Sequence, residues 1–170
     1  MKQKIIIITT GGTIEKTYDE ETGVLLNKSS QLQEMLKRLR LPYTVVSQHD
    51  LLNKDSLEMT DRDRQIIKLS VENFLAEGAP IVILHGTDTM EVTAQYLYDT
   101  ITEPAMPIVF TGAMRPFGFE NSDALQNFTE ALLAATILPA GIYISMHNRV
   151  HKLPGVRKNR ERGTFEKINQ

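Results

Sequence analysis

The sequence predicts an α/β fold in which a mostly parallel β-sheet is covered by helices on both faces. Five short apolar runs do not alternate with polar residues, and such continuous runs are typical of parallel strands buried on both faces. Between the runs, apolar residues recur every three or four positions, which is the spacing of a helix that packs one face on a core. This alternation favours a doubly wound, three-layer sheet with right-handed crossovers, so we expect ligands outside the carboxyl ends of the strands.

Each predicted element has its own local signals. The predicted strands, bounded by Gly, Pro or polar residues, are 5–8, 44–47, 81–84, 108–110 and 141–145. The helical spacing covers 32–39, 67–75, 90–101 and 125–132. Ser30 and Gln33 have the spacing of a capping box at the start of the first helix, and Thr60 with Asp63 marks the start of the second.

One polar segment interrupts the alternation between the first strand and the first helix. It is "EKTYDEETGVLL", residues 15–26, with a turn at Glu21, Thr22 and Gly23. We expect a β-hairpin or a mobile loop that hangs over the strand ends, where lids of binding sites are found.

Length and composition indicate one soluble globular domain. The 170 residues are 41% hydrophobic and 24% charged, which is unlike disordered, collagenous or membrane proteins. With no cysteine, the chain has neither a disulfide framework nor a thiolate nucleophile. The first apolar run is too short for a signal peptide, so we expect a cytoplasmic protein that does not bind membranes.

Charge is distributed unevenly along the chain. Residues 147–170 carry a net charge of +5, against −7 for the remainder. Because the overall pI is about 6.1, we interpret this basic segment as a solvated face or an anion-contacting loop, and we expect no nucleic-acid partner.

Three predicted strands end in related sequences, "IIIITTGGT", "IVILHGTDT" and "IVFTGAMRP". The first two place Thr13 and Thr87 just after glycines, so we expect both threonines at one sheet edge, where the glycines let a ligand approach the backbone. The "GGT" segment lacks the spacing of known phosphate-binding loops. It is therefore interpreted either as a tight turn or as a segment that presents a nucleophile. Taken by itself, Asp88 is interpreted as the N-cap residue of the helix that follows it.

A threonine hydroxyl becomes a nucleophile only when a base removes its proton. The available bases are His85, the lysines and the carboxylates, and we expect His85 to be a hydrogen-bonded strand-end residue. A lysine can serve where burial or neighbouring cations favour its neutral form, and Arg157 and Arg160 lie next to Lys158 in sequence.

Five motifs together resemble the bacterial-type L-asparaginase family. In order along the chain they are "TTGGTI", "HGTDTME", "TGAMRP", "NSDALQNF" and "VRKN" followed by "GTF". The resemblance implies a flavodoxin/Rossmann-like sheet and hydrolysis of L-asparagine to L-aspartate and ammonia by a threonine nucleophile. It covers only the N-terminal, catalytic domain of those two-domain enzymes, so we expect residues 1–170 to form a single domain of this type, as a short form without the C-terminal domain.

The resemblance also implies roles for particular residues. The implied catalytic residues are Thr13, Tyr18, Thr87, Asp88 and Lys158, with Tyr18 closing on Thr13 and Asp88 holding the substrate ammonium. The implied substrate-binding residues are Gly12, Asp55, Ser56, Gly86 and Ala113. Asp123 and Asn127 could brace the Ala113 segment. Leu57 departs from the glutamine that the periplasmic branch has after its serine, which removes a polar contact.

The sequence is also compatible with two other functions. The chain could be a non-catalytic sensor of amino acids, or a component of a tRNA amidotransferase that releases ammonia from glutamine. For the enzyme we expect L-asparagine, and possibly L-glutamine, as substrate, no cofactor or metal, and a homodimer or homotetramer. His147 and His151 are four residues apart but lack the remainder of a zinc-binding helix motif.

Overall fold

A computed structural model describes residues 2–168, in which strands and helices alternate along most of the chain. The strands are β1 (Gln3–Gly11), β2 (Thr17–Asp19), β3 (Val24–Leu26), β4 (Thr44–Lys54), β5 (Ile81–Leu84), β6 (Pro107–Thr111), β7 (Gly141–Met146), β8 (Arg149–Lys152), β9 (Val156–Asn159) and β10 (Thr164–Lys167). The helices are α1 (Leu32–Lys37), α2 (Asp61–Leu75), α3 (Met90–Thr100) and α4 (Ala124–Ile137).

The main sheet has six strands in the order β4-β1-β5-β6-β7-β8. The first five are parallel, and β8 pairs antiparallel with β7 at one edge. In chain order the parallel strands run 2-1-3-4-5, which is the flavodoxin-like arrangement. The predicted fold is therefore confirmed, and the topological switch point lies between β1 and β5.

Helices cover both faces of this sheet. Alternate residues of β1 enter two separate cores, with Ile6 and Ile8 in one and Ile5 and Ile7 in the other. The first core also contains residues of α2 and α3, namely Ile67, Val71, Ala94 and Leu97. The second contains residues of α1 and α4, namely Leu32, Met35, Phe128 and Ala131. Because both faces of β1 are buried, its sequence is apolar without alternation.

The segment after β1 forms the predicted hairpin. Strands β2 and β3 pair antiparallel, with Thr17 opposite Leu26. Gly23 has φ 70° and donates its N–H to the Asp19 carbonyl at 2.7 Å. A glycine is favoured at this position because side chains disfavour the left-handed conformation.

The capping predictions differ in outcome. Thr60 and Asp63 form a complete capping box at the start of α2, as their spacing predicts. The box predicted at Ser30 and Gln33 is wrong, since Gln31 is the N-cap of α1 and the Gln33 amide donates to the Gln48 side chain at 2.5 Å.

The basic C-terminal segment is more ordered than predicted. Strands β9 and β10 form a second hairpin with Lys158 opposite Phe165, and the Phe165 side chain is buried in the first core. The segment is therefore a structural element with a charged outer face. None of the helices within residues 2–168 is long and apolar enough to span a membrane.

Candidate active site

The predicted site lies at the switch point, where the ends of β1 and β5 touch. A Cβ atom placed on Gly12 would lie 2.4 Å from the Cα and N atoms of Gly86, so the two backbones are in direct contact. Thr13 and Thr87 follow these glycines in the chain. The sheet thus brings the two threonine segments to one edge.

The glycines at the strand ends allow close packing of neighbouring protein segments. A Cβ on Gly86 would lie 2.5 Å from the Ser56 hydroxyl oxygen, and one on Gly112 would lie 2.3 Å from the His85 carbonyl oxygen. The glycines therefore have a packing role in addition to the predicted clearance for a substrate, which stays a prediction. Their small size lets neighbouring strand ends and the Ser56 turn pack together.

Thr87, Asp88 and Lys158 form one hydrogen-bonded cluster. The Lys158 ammonium donates to the Thr87 hydroxyl at 2.8 Å and to Asp88 Oδ1 at 2.9 Å. Thr87 is 4% exposed, and the Lys158 side chain is 12% exposed. Burial disfavours the charged Asp88 carboxylate, but its ion pairs with Lys158 and Arg160 outweigh burial and lower its pKa below the ordinary value.

Helix α3 fixes the strand that carries Lys158. The Glu91 carboxylate, in the first turn of α3, accepts the backbone N–H of Lys158. On the other side, β9 is paired with β10. The ammonium of Lys158 therefore reaches Thr87 from a backbone that is held at two points.

Thr13 and Tyr18 do not join this cluster in the described part of the chain. Thr13 starts a 3-10 turn, Thr13–Glu15, and is half-buried. Tyr18 lies on β2 and is 62% exposed. Among the side-chain hydrogen bonds of residues 2–168 there is none from Thr13 or Tyr18, so the hairpin adopts an arrangement in which Tyr18 does not cover the site.

A buried carboxyl group lies behind Thr13. Glu15 is 1% exposed; it accepts the N–H of Gly11 at 3.0 Å and the hydroxyl of Ser30 at 2.5 Å. Burial raises the Glu15 pKa to about 7, although these hydrogen bonds oppose the rise. Glu15 therefore joins the end of β1 to the segment that leads into α1.

Asp55 and Ser56 form the floor of the site beside Gly86. Ser56 is 2% exposed, and its carbonyl accepts the Thr89 hydroxyl at 2.8 Å. The Asp55 carboxylate pairs with Lys16 at 2.5 Å, and this hydrogen bond, opposed by burial, lowers the Asp55 pKa. The ion pair connects this floor to the base of the β2–β3 hairpin.

The Ala113 segment is held by a network of polar side chains. Ala113 is 1% exposed, and the next residue, Met114, donates its N–H to Asp123 at 2.9 and 3.0 Å. Asn127 donates to the Gly112 carbonyl at 2.9 Å. His147 contacts the Asp123 carboxylate at 2.8 Å and the Thr164 hydroxyl at 2.9 Å. His147 thereby links this segment to β10, and so to the hairpin of Lys158.

The remaining titratable candidates are less suited to catalysis. His85 is fully buried, its Nδ1 contacts the Gly86 carbonyl at 2.8 Å, and burial lowers its pKa to about 4. His85 is therefore neutral near neutral pH. Across residues 2–168, no group of three or more His, Cys, Asp or Glu side chains is arranged to hold a metal ion.

The structural roles of three residues of this site could not be predicted from the sequence. They are Glu15, Glu91 and His147, which act through contacts to residues 15, 67 and 24 positions away, respectively. Contacts of this kind depend on how the strands are ordered in the sheet. Local spacing does not encode them.

Comparisons of this sequence with known proteins all indicate one family. A sequence model described as "Asparaginase, N-terminal" matches residues 4–170. The L-asparaginase of Thermococcus kodakarensis is 31% identical over 168 residues, covering 98% of this chain and 51% of that protein. A glutamyl-tRNA(Gln) amidotransferase subunit of Methanobrevibacter smithii is 34% identical over 180 residues, covering 99% of this chain and 41% of that protein.

Solved structures agree with the sequence comparison. The thermostable L-asparaginase from Thermococcus kodakarensis superposes with a TM-score of 0.90 at 32% identity, over 99% of this chain and 52% of that one. The probable cytoplasmic L-asparaginase from Campylobacter jejuni gives a TM-score of 0.77 at 29% identity, over 98% of this chain and 52% of that one. The chain thus spans about half the length of the relatives it matches.

Proposed function

This chain belongs to the asparaginase family of amidohydrolases, and on that premise we propose that it hydrolyses L-asparagine to L-aspartate and ammonia. The observation that carries the proposal is the cluster of Thr87, Lys158 and Asp88, in which one partly buried ammonium contacts a hydroxyl and a carboxylate. A lysine beside a hydroxyl can act as the adjacent base that activates the hydroxyl for nucleophilic acyl transfer.

In the proposed reaction, the hydroxyl oxygen of Thr13 or Thr87 attacks the side-chain carboxamide carbon. Lys158 in its neutral form accepts the hydroxyl proton, and the tetrahedral intermediate collapses by breaking the C–N bond. The leaving nitrogen takes up a proton and departs as ammonia. Water then attacks the threonine ester, which releases aspartate and restores the hydroxyl.

Backbone N–H groups are the donors for the developing oxyanion. Within residues 2–168, the N–H groups of Thr13 and Thr87 donate no hydrogen bond to another residue. The N–H of Gly12, in contrast, donates to the Lys54 carbonyl at 2.9 Å. We therefore propose that the two threonine N–H groups stabilise the oxyanion, a contribution that reaches about 3 kcal/mol for one donor in other hydrolases.

The proposed substrate contacts follow the same edge. Asp88 accepts the α-ammonium, Ser56 and the Asp55 backbone bind the α-carboxylate, and the Ala113 backbone lies beside the carboxamide. Closure of the hairpin brings Tyr18 onto Thr13 and excludes water. We further propose a cytoplasmic location, in line with the description of the Campylobacter jejuni relative as a probable cytoplasmic enzyme.

A second candidate function is release of ammonia from glutamine within a tRNA amidotransferase. The identity of 34% to a glutamyl-tRNA(Gln) amidotransferase subunit supports it. In that case activity depends on a partner protein and a tRNA, and glutamine is the preferred substrate.

An ammonia assay with purified protein distinguishes the candidates. We expect ammonia from L-asparagine, more slowly from L-glutamine, and loss of at least about a hundredfold in kcat for Thr87→Ala. The matched control is Thr136→Ala, which removes the hydroxyl of a half-buried threonine on α4. Release from glutamine alone favours the amidotransferase component, whereas binding of asparagine without ammonia favours a sensor and contradicts the proposal.

A further inference from the structure

A lysine at the base of the β2–β3 hairpin contacts the turn that forms the floor of the site. Lys16 follows the 3-10 turn that begins at Thr13, and its ammonium donates to Asp55 Oδ2 at 2.5 Å. Both side chains are partly buried, with 21% of Lys16 and 33% of Asp55 exposed. The Lys16 N–H donates to the Thr13 carbonyl at 3.1 Å. The ion pair therefore lies between the Thr13 segment and the turn that contains Ser56.

The Asp55 carboxylate also shapes that turn. Its Oδ1 atom accepts the N–H of Leu57 at 3.0 Å, which makes Asp55 the N-cap of the 3-10 turn Ser56–Glu58. One carboxylate oxygen thus caps the turn, and the other binds Lys16. A carboxylate at this position stabilises the turn, but it also places a negative charge beside Ser56.

That negative charge lies where the proposed function requires an anion to bind. In the proposed reaction, Ser56 and the Asp55 backbone bind the substrate α-carboxylate. Two neighbouring carboxylates repel each other, and the repulsion is stronger where water is partly excluded. Lys16 can compensate the charge of Asp55 without disturbing the cap, because it binds the oxygen that the turn does not use.

The other cations near this turn are paired with other carboxylates. Lys54 precedes Asp55 in the chain and donates to Asp63 at 2.9 and 3.0 Å. Lys28 lines the same groove as Lys16, and its ammonium lies 2.8 Å from an aspartate of β2. Within residues 2–168, Lys16 is the only residue that forms an ion pair with Asp55.

The remaining acid in this groove increases the need for a cation. Glu58 is exposed and lines the groove with Lys16 and Asp55. Without Lys16, the groove would contain two carboxylates that no cation pairs with in the described part of the chain. The charged groups around Lys158 make no ion pair with Asp55 there, so they do not replace Lys16.

We propose that Lys16 is a positioning residue for the substrate α-carboxylate and that it acts through Asp55. The inference rests on the proposed function, in which this turn binds that carboxylate. Lys16 neutralises the Asp55 side chain, so the turn keeps its cap and still accepts an anionic ligand. It thereby favours amides that carry a free α-carboxylate over those in which this group is amidated.

The test compares two ligands that differ only in charge at this position. L-Asparagine carries the α-carboxylate, and L-asparaginamide has a neutral carboxamide in its place. Their dissociation constants are measured by calorimetry at low salt in the Thr87→Ala background, where the proposed turnover is slowed. To this background are added Lys16→Gln, Lys16→Arg, the pair Lys16→Gln with Asp55→Asn, and Lys28→Gln. Lys28→Gln is the matched control, since it removes a cation of the same groove that does not pair with Asp55.

We expect Lys16→Gln to weaken asparagine binding about tenfold and to change asparaginamide binding by less than about twofold. The difference should shrink with added salt. Lys16→Arg should keep the original ratio of the two constants, and Lys28→Gln should leave it unchanged. Adding Asp55→Asn to Lys16→Gln should restore the ratio, because an amide still caps the turn but carries no charge.

Equal weakening of both ligands in Lys16→Gln would indicate a merely structural role and overturns the inference. An unchanged ratio in Lys16→Gln, or a ratio that Asp55→Asn does not restore, also overturns it.

Ammonia release is measured on chains with Thr87 intact to separate the two proposals. Absence of ammonia from L-asparagine contradicts the proposed hydrolase, while the ratio of dissociation constants still decides the role of Lys16. If neither ligand binds to any variant, both proposals are overturned.

Discussion

At the scale of single residues, Gly86 is the position where the two halves of the site meet. Its backbone lies against Gly12, and a side chain there would collide with Ser56. Both neighbours belong to segments that are buried and held by other contacts. The collision is therefore with parts of the structure that have little freedom to move.

Gly86→Ala should lower both stability and activity. Insertion of a methyl group into a packed site typically costs about 1 to 3 kcal/mol, and displacement of Ser56 should impair substrate binding. The matched control is Gly118→Ala, because a Cβ there meets no atom within 4 Å. Thermal unfolding and ammonia assays of both variants test this, and equal stability of the two would contradict the packing argument.

Glu15 is the second residue whose environment has a measurable consequence. Its pKa is raised from 4.5 to about 7, so the folded chain retains a proton that the unfolded chain loses. The free energy of unfolding contains this contribution fully below pH 4.5, and it is lost as the pH rises through about 7.

Glu15→Gln should remove this pH dependence. A shift of this size corresponds to about 3 kcal/mol, as an order of magnitude. Relative to the variant, the wild-type chain should lose stability between pH 4.5 and about 7, as measured by urea unfolding at several pH values. Parallel curves for the two proteins across that interval would show that Glu15 is not the titrating group.

At the scale of elements, the start of α2 is set by the capping box of Thr60 and Asp63. The Thr60 hydroxyl accepts the Asp63 N–H at 3.3 Å, and Asp63 Oδ2 accepts the Thr60 N–H at 2.8 Å. This helix follows the Asp55 and Ser56 turn. Its first turn therefore fixes one end of the segment that forms the floor of the site.

Thr60→Ala should lower the free energy of unfolding by about 1 kcal/mol, the usual effect of losing an N-cap. Thr60→Ser retains a hydroxyl acceptor and should remain close to the wild type. Urea unfolding of the three proteins provides the comparison. Equal losses in the alanine and serine variants would mean that the methyl group, and not the hydroxyl, stabilises the helix.

The elements that the sequence predicted well are those buried on both faces. Strand β5 was predicted with its observed bounds, Ile81–Leu84, since every residue of it is apolar. Strand β4 extends to Lys54, seven residues beyond the prediction. The sequence pattern missed this extension because β4 lies at the sheet edge, pairs only with β1 and is not buried on both faces. The half-exposed polar residues of this extension give no apolar run that would predict a strand, and backbone hydrogen bonds to β1 hold them in the sheet.

Some features of the candidate site could be predicted from the sequence and others could not. Strand ends and motif resemblance predicted that Thr87, Asp88 and Lys158 come together. The contact of Glu91 with the Lys158 backbone, and that of His147 with Asp123, could not be predicted because each joins residues that are distant in sequence. The packing role of Gly12 and Gly86 could not be predicted for a related reason, since the sequence does not show which backbone lies opposite each glycine.

At the scale of the whole molecule, the family relatives have about twice the length of this chain. Apolar side chains on α4 and β8 are exposed, with Leu133 at 60%, Ile137 at 69% and Val150 at 45%. Together they line a groove of about 160 Å³. Exposed apolar surface of this kind is often buried by association.

We propose that the chain forms a homodimer or homotetramer that buries this groove. Light scattering after size-exclusion chromatography should show a mass at least twice that of one chain, and Ile137→Glu should reduce it to the monomer. Leu69→Glu, on helix α2 at the opposite face of the sheet, is the matched control. A monomeric wild type contradicts the proposal.

The most direct test of the proposed chemistry is detection of the threonine ester. Wild-type protein is mixed with L-asparagine, quenched in acid during turnover, digested and analysed by mass spectrometry, with Lys158→Met as the comparison. The proposed mechanism predicts an aspartyl group on the peptide that contains Thr13 or Thr87, and neither ester nor ammonia from the Lys158→Met variant. Ammonia release by the wild type with an acyl group on another residue, or undiminished turnover by Lys158→Met, would contradict it.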